Sequence, residues 1–170
     1  TNAFELLSAE LGVDVEQKII DDIFEPEVEF ANSYPIVNHN MEIQLWKGYI
    51  TLARVLNEPD YIHKVVEWME GFFANQYLSD GFWKEVTQSY HNQSTGGLAD
   101  SMEMLQGWSD PAGYLSPRTG LRYEDLDMAS QLPSLGKSQQ LTRMLTYPDG
   151  KYMPIQDTWA YSRNARPLLN

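Results

Sequence analysis

The chain has 170 residues and no cysteine, with 12 Lys and Arg against 24 Asp and Glu for a formal net charge of −12. That balance argues against nonspecific nucleic-acid binding and against an anionic membrane surface, both of which need a basic face. The missing cysteines exclude disulfides, thiolate metal sites and cysteine nucleophiles, and no stretch approaches the roughly 20 apolar residues of a membrane span. With 42% apolar residues the length suits one domain with a real core. No signal peptide is visible; a mature secreted chain or a cut fragment would read the same.

In chain order, Ala3 to Leu11 reads as a short helix closed by Gly12. Val15 to Phe24 is a second helical pattern, with Val15, Ile19, Ile20, Ile23 and Phe24 on its apolar side, and Pro26 is expected to end or kink it. Phe30 to Val37 is irregular, and Tyr34-Pro35 favours extended backbone. Asn38 or Asn40 is expected to cap a well-buried helix from about Met41 to Leu56. Asn57-Glu58-Pro59 is a break followed by a start signal. The clearest amphipathic helix runs from about Asp60 to Tyr77, with Ile62, Val65, Val66, Met69, Phe72 and Phe73 at offsets of three and four.

Ser79-Asp80-Gly81 is a turn, Phe82 to Ser89 is expected to be extended, and a helix follows over about Asn92 to Trp108. Gly96-Gly97 weakens that helix; it permits close helix packing, or close approach of the backbone to a ligand. Ser109 to Gly120 is a loop. Tyr123 to Gln131 and Ser138 to Thr146 are two further helical pieces, and Tyr147-Pro148-Asp149-Gly150 is a strong turn. Tyr152 to Tyr161 does not look helical. There is no alternation of strand with helix, so the expected class is all-α, built of packed antiparallel helix pairs.

The chemistry concentrates in Asp80 to Leu98. Trp83, Lys84, Glu85, Tyr90, His91, Asn92 and Gln93 crowd this stretch, which reads as one wall of a sugar-binding cleft. Asn38-His39-Asn40 supplies a second wall. It lies at the expected N-terminus of a helix, whose free N–H groups attract a carboxylate. The plainer reading is that the asparagines only cap the helix. Tyr90 can transfer protons or can simply be packed. His63 lies beside an apolar stripe and reads as structural. Of Trp46, Trp83, Trp108 and Trp159, Trp83 is expected to face the cleft. Asp80, Glu85, Asp127 and Asp157 are the candidate carboxylates of a glycosidase. The three histidines lack metal-ligand spacing on one helix, so no metal site is expected.

Asn38-His39, then Tyr90, then Tyr147-Pro148-Asp149-Gly150 running into Pro154-Ile155-Gln156-Asp157-Thr158, resembles the C-terminal half of the helical toroid of heparinase II/III-like and alginate-lyase-like polysaccharide lyases. The resemblance spans Val15 to Tyr161. It implies an incomplete (α/α) toroid over residues 1–162, a linker over 163–170, and a C-terminal β-sandwich domain as the partner in the same protein. It implies β-elimination on an acidic, uronate-containing polysaccharide or oligosaccharide, in a periplasmic or secreted setting, with no cofactor in this chain. Asn38 and His39 match the pair that neutralises the uronate carboxylate, and Tyr90 matches the proton-transfer residue; His39 is an alternative base for the opposite C5 epimer. Asn40, Trp83, Lys84, Glu85, His91, Asn92 and Gln93 are the expected substrate-binding residues, with Asn40 able to replace Asn38. The family's further histidine comes from the β-domain, so this chain is expected to hold only the helical-domain part of the site. Two other readings remain: a glycoside hydrolase on an (α/α) toroid, in which two carboxylates such as Asp80 and Asp157 converge, and a non-catalytic helical interaction module.

Overall fold

The computed structural model describes Phe4, residues 10–34 and residues 38–158. Most of the helix expected over Ala3 to Leu11, the Pro35 to Val37 stretch, Trp159 and the expected linker 163–170 lie outside the described residues. The elements are α1 (Val13–Ile19), a π turn (Ile20–Phe24), α2 (Glu25–Ser33), α3 (Glu42–Leu56), α4 (Pro59–Gln76), α5 (Gln88–Leu105), the single turn α6 (Met128–Gln131) and α7 (Leu135–Met144). The class is all-α; the described residues contain isolated bridges between extended residues and no strand.

Pro26 does not end the first helix. A proline inside a helix removes one donor and its ring crowds the carbonyl four residues back. Here the chain widens into the π turn just before it, where the N–H of Glu25 donates to the Ile20 carbonyl. Pro26 then falls in the first turn of α2, where a missing donor costs little. The apolar side expected for this region does not enter the core. Val15 and Ile23 are exposed, and Val28 is the buried residue of α2.

The core forms where α3 packs between α4 and α5. Ile43, Trp46, Tyr49, Ile50 and Ala53 line one face of α3, while Leu45 points out, so α3 is amphipathic rather than apolar all round. It ends at Asn57 in the left-handed conformation, which asparagine tolerates. Pro59 opens α4, whose Ile62, Val65, Val66, Met69 and Phe72 are buried at the expected spacing. Each such side chain contributes about 1.5–3 kcal/mol by leaving water. The Trp46 and Phe72 rings meet edge to face at 5.1 Å. Gly97 lets α5 approach α3: a methyl group there would lie 2.4 Å from Ile43 Cγ2, whereas Gly96 faces open space. Of the two readings of the Gly-Gly pair, close helix packing is the one this geometry supports.

Trp83 corrects a sequence expectation. It is 1% exposed, stacked on Phe72 at 5.5 Å and paired through its backbone with Tyr77. It is core and does not face a cleft. The segment after it is a turn rather than a strand, and α5 starts at Gln88, four residues before the expected start. Similarly, the helix expected over Tyr123 to Gln131 shrinks to α6. Residues before it pair back across the loop, with Gly107 N–H donating to the Leu126 carbonyl and Leu126 N–H to the Trp108 carbonyl.

That loop is fastened to α4 by a buried polar centre. Asp110, 3% exposed, accepts from Trp108 Nε1 at 2.8 Å and Tyr123 N–H at 2.6 Å, and its Oδ2 lies 2.8 Å from His63 Nε2. The His63 ring stacks on Tyr123 at 4.2 Å. Burial alone would push the Asp110 carboxyl up, but the hydrogen bonds from Trp108, Tyr123 and His63 outweigh it and hold it below its ordinary value. His63 therefore holds the fold together, as its place beside the apolar stripe suggested.

Candidate functional site

The turn into α3 is tied by its own residues. Asn38 has φ of 54°, and its N–H donates to Glu42 Oε1 at 3.1 Å. The His39 carbonyl accepts from Glu42 N–H at 2.9 Å, and His39 Nδ1 accepts from Met41 N–H at 3.2 Å. The helix start is thus held by His39 and not by an asparagine side-chain cap. With Nδ1 accepting, the neutral imidazole carries its proton on Nε2. His39 is exposed and Asn38 half-buried. Asn40 is 8% exposed, and its Nδ2 donates to Gln93 Oε1 at 3.4 Å across 53 positions of sequence. This bond joins the Asn38-His39-Asn40 turn to α5.

Tyr90 lies one turn before Gln93 on α5 and is half-buried. Its hydroxyl donates to Asp157 Oδ2 at 3.5 Å. Asp157 reaches it because the segment after α7 is bound to the start of α5. Thr87 gives no side-chain cap; instead Thr158 Oγ1 accepts from Gln88 N–H at 2.7 Å. The Gln88 side chain accepts from Met153 N–H at 2.7 Å and donates to Thr146 Oγ1 at 3.2 Å. Ser89 Oγ donates to the Asp157 carbonyl at 3.4 Å. Sequence reasoning named Asp157 as a glycosidase carboxylate but missed Gln88 and Thr158. No local signal marks them, because the cap comes from 70 positions away.

The other expected site residues divide. Lys84, Glu85 and Gln93 are exposed. Asn92 is half-buried, and neither of its buried amide atoms has a partner. His91 is a second correction. It is fully buried, its Nδ1 accepts from Trp83 N–H at 3.2 Å and its Nε2 donates to the Ser138 carbonyl at 2.8 Å. Burial lowers its pKa, opposed in part by the Ser138 carbonyl and by Asp80. Both ring nitrogens are thus engaged by the fold, and none is left for a substrate. Among the remaining carboxylates, Asp80 Oδ1 accepts from Phe82 N–H in the turn, and Asp127 Oδ1 accepts from Ala129 N–H at the start of α6.

Backbone strain gathers at the same place. Among the described residues, five that are not glycine have positive φ: Asn38, Asn57, Val86, Asp125 and Gln156. Three flank the assembly, at Asn38 itself, four residues before Tyr90 and one before Asp157. A β-branched residue such as Val86 is costly in this conformation, and such strain concentrates where side chains must be held in place for function.

Among the described residues, no group of three or more His, Asp or Glu is arranged to hold a metal ion, and no helix is long and apolar enough to cross a membrane. No family model, no curated protein and no solved structure matches the chain.

Proposed function

We propose that the chain is the helical part of a polysaccharide lyase acting on a uronate-containing polymer by β-elimination. The observation that supports this reading is the Asn40–Gln93 bond, which ties the Asn38-His39-Asn40 turn to α5 three residues after Tyr90. In the proposed reaction, Asn38 and the His39 Nε2–H hold the uronate carboxylate at C6. Their hydrogen bonds strengthen as negative charge moves onto that carboxylate, which lowers the barrier selectively. The C5–H bond then breaks as Tyr90, having given up its hydroxyl proton to solvent, takes the C5 proton on its oxygen. The bonding pair forms the C4–C5 double bond, the C4–O bond breaks, and the Tyr90 hydroxyl so formed passes that proton to the leaving oxygen. With Nδ1 accepting from Met41 N–H and the proton on Nε2, His39 has no free lone pair, so it holds the carboxylate and does not act as base for the opposite C5 epimer.

The resemblance extends the proposal to an incomplete (α/α) toroid of antiparallel hairpins, to a β-sandwich partner domain and to a periplasmic or secreted location. The hydrolase reading needs two converging carboxylates; Asp80 Oδ1 accepts from Phe82 N–H in its own turn, whereas Asp157 Oδ2 accepts from Tyr90. The test uses the longest natural form of the protein on a panel of uronate polysaccharides. The ultraviolet absorbance of the new conjugated double bond is read beside released reducing ends. A rise in both supports the lyase; reducing ends without absorbance refute it in favour of hydrolysis.

A further inference from the structure

We infer that Asp157 is a positioning residue that aims the Tyr90 hydroxyl, and that the segment from Thr146 to Thr158 is a strap whose seating on α5 sets that aim. The inference rests on the lyase reading for its chemistry and on independent geometry for its structure. The Tyr90 ring is half-buried and packed against the core, which leaves its hydroxyl free to rotate toward water. An acceptor at a fixed place removes that freedom, and correct orientation is worth much of a barrier.

Asp157 is held by more contacts than a surface carboxylate needs. Its carbonyl accepts from Ser89 Oγ. Its neighbour Thr158 is buried and caps Gln88 N–H at 2.7 Å. The Thr158 N–H donates to the Ile155 carbonyl at 3.0 Å. Gln88, fully buried, grips Met153 and Thr146 further up the strap. Gln156, directly before Asp157, takes φ of 52°, a conformation that persists only where surrounding contacts enforce it. The strained residue turns the chain so that Thr158 reaches the helix end while Asp157 reaches Tyr90. A cap alone would not need the side chain of the preceding residue to meet Tyr90.

Two measurements on the same variants test this. In protein labelled with 3-fluorotyrosine, the Tyr90 fluorine resonance is identified by its loss in Tyr90→Phe. It should shift in Asp157→Ala and return toward its parent position in Asp157→Asn, which keeps an acceptor oxygen. A resonance unmoved by Asp157→Ala overturns the contact. On the polysaccharide giving the largest absorbance rise with the parent, Asp157→Ala should lower kcat about tenfold to a hundredfold at unchanged KM, and Asp157→Asn should recover most of it. Unchanged kcat, or loss shared equally by both variants, overturns the positioning role. A parent silent across the panel overturns the lyase reading and this role with it, while the fluorine shift still decides separately whether Asp157 holds Tyr90.

Discussion

Replacing Asp110 by alanine should be among the most damaging single changes away from the apolar core. The carboxylate is buried and is shared by three donors, Trp108 Nε1, the Tyr123 N–H and His63 Nε2. Removing it strands the His63 ring N–H in the interior and takes the acceptor from the half-buried Trp108 and Tyr123 groups. A stranded buried donor costs about 1–3 kcal/mol, and bonds to a charged acceptor lie at the upper end of that range. The three losses share one centre and do not add, so about 3 kcal/mol is the expected total. In a domain of this size that lowers the melting temperature by roughly 6–12 °C. Asp110→Asn keeps one acceptor and should cost less. The effect also has a pH signature. The native carboxyl titrates below its ordinary value, so its contribution is fully present above the unfolded value near ~3.9 and is lost as pH falls through the lower native value. Urea unfolding of parent, Asp110→Ala and Asp110→Asn measures both features. A loss under about 1 kcal/mol for Asp110→Ala, or parent and Asp110→Asn curves that stay parallel below pH 4, would refute the assignment of Asp110 as the fastening of this loop.

Further outcomes follow from the same structure. Gly97→Ala should destabilise by about 1–3 kcal/mol, because its methyl collides with Ile43, while Gly96→Ala should be neutral or stabilising by up to about 1 kcal/mol; paired thermal melts separate them. His91 is buried with its pKa lowered, so it contributes stability above the unfolded value near ~6.5 that is lost as pH falls. His91→Gln should flatten the stability profile as pH falls below about 6.5; a profile as steep as the parent's would contradict the buried neutral ring. Gln93→Ala removes the tie to Asn40 on an exposed position, so it should change stability by less than about 1 kcal/mol yet lower turnover on any active uronate polymer. Equal loss of both would mean that Gln93 only supports the fold.

The parts of the fold legible in the sequence are those fixed by local chemistry. Ile62, Val65, Val66, Met69 and Phe72 repeat with the helix period, and burial of that stripe leaves α4 no other choice. Asn57-Glu58-Pro59 and Tyr147-Pro148-Asp149-Gly150 act through backbone preferences that need no partner. Other features depend on distant residues. α5 begins at Gln88 because Thr158 caps it, and nothing near Gln88 announces that. Trp83 sits among polar neighbours, but the turn before it carries its ring onto Phe72. Tyr123 to Asp127 have a helical pattern, yet Asp110 and Trp108 recruit their backbone groups into loop pairing. For the candidate site, the asparagine-histidine turn and Tyr90 were readable as residue types in order. His91 was not separable from them, since its ring reaches Ser138 only once α5 and α7 have packed.

In the proposed elimination the proton transfer falls to Tyr90. The most direct measurement follows the absorbance of the new double bond on uronate polysaccharides with the longest natural form of the protein and with its Tyr90→Phe variant. The parent should give a rise that falls by about 10²–10⁴ in Tyr90→Phe, with the melting temperature little changed. A Tyr90→Phe variant that keeps the parent rate would contradict that role.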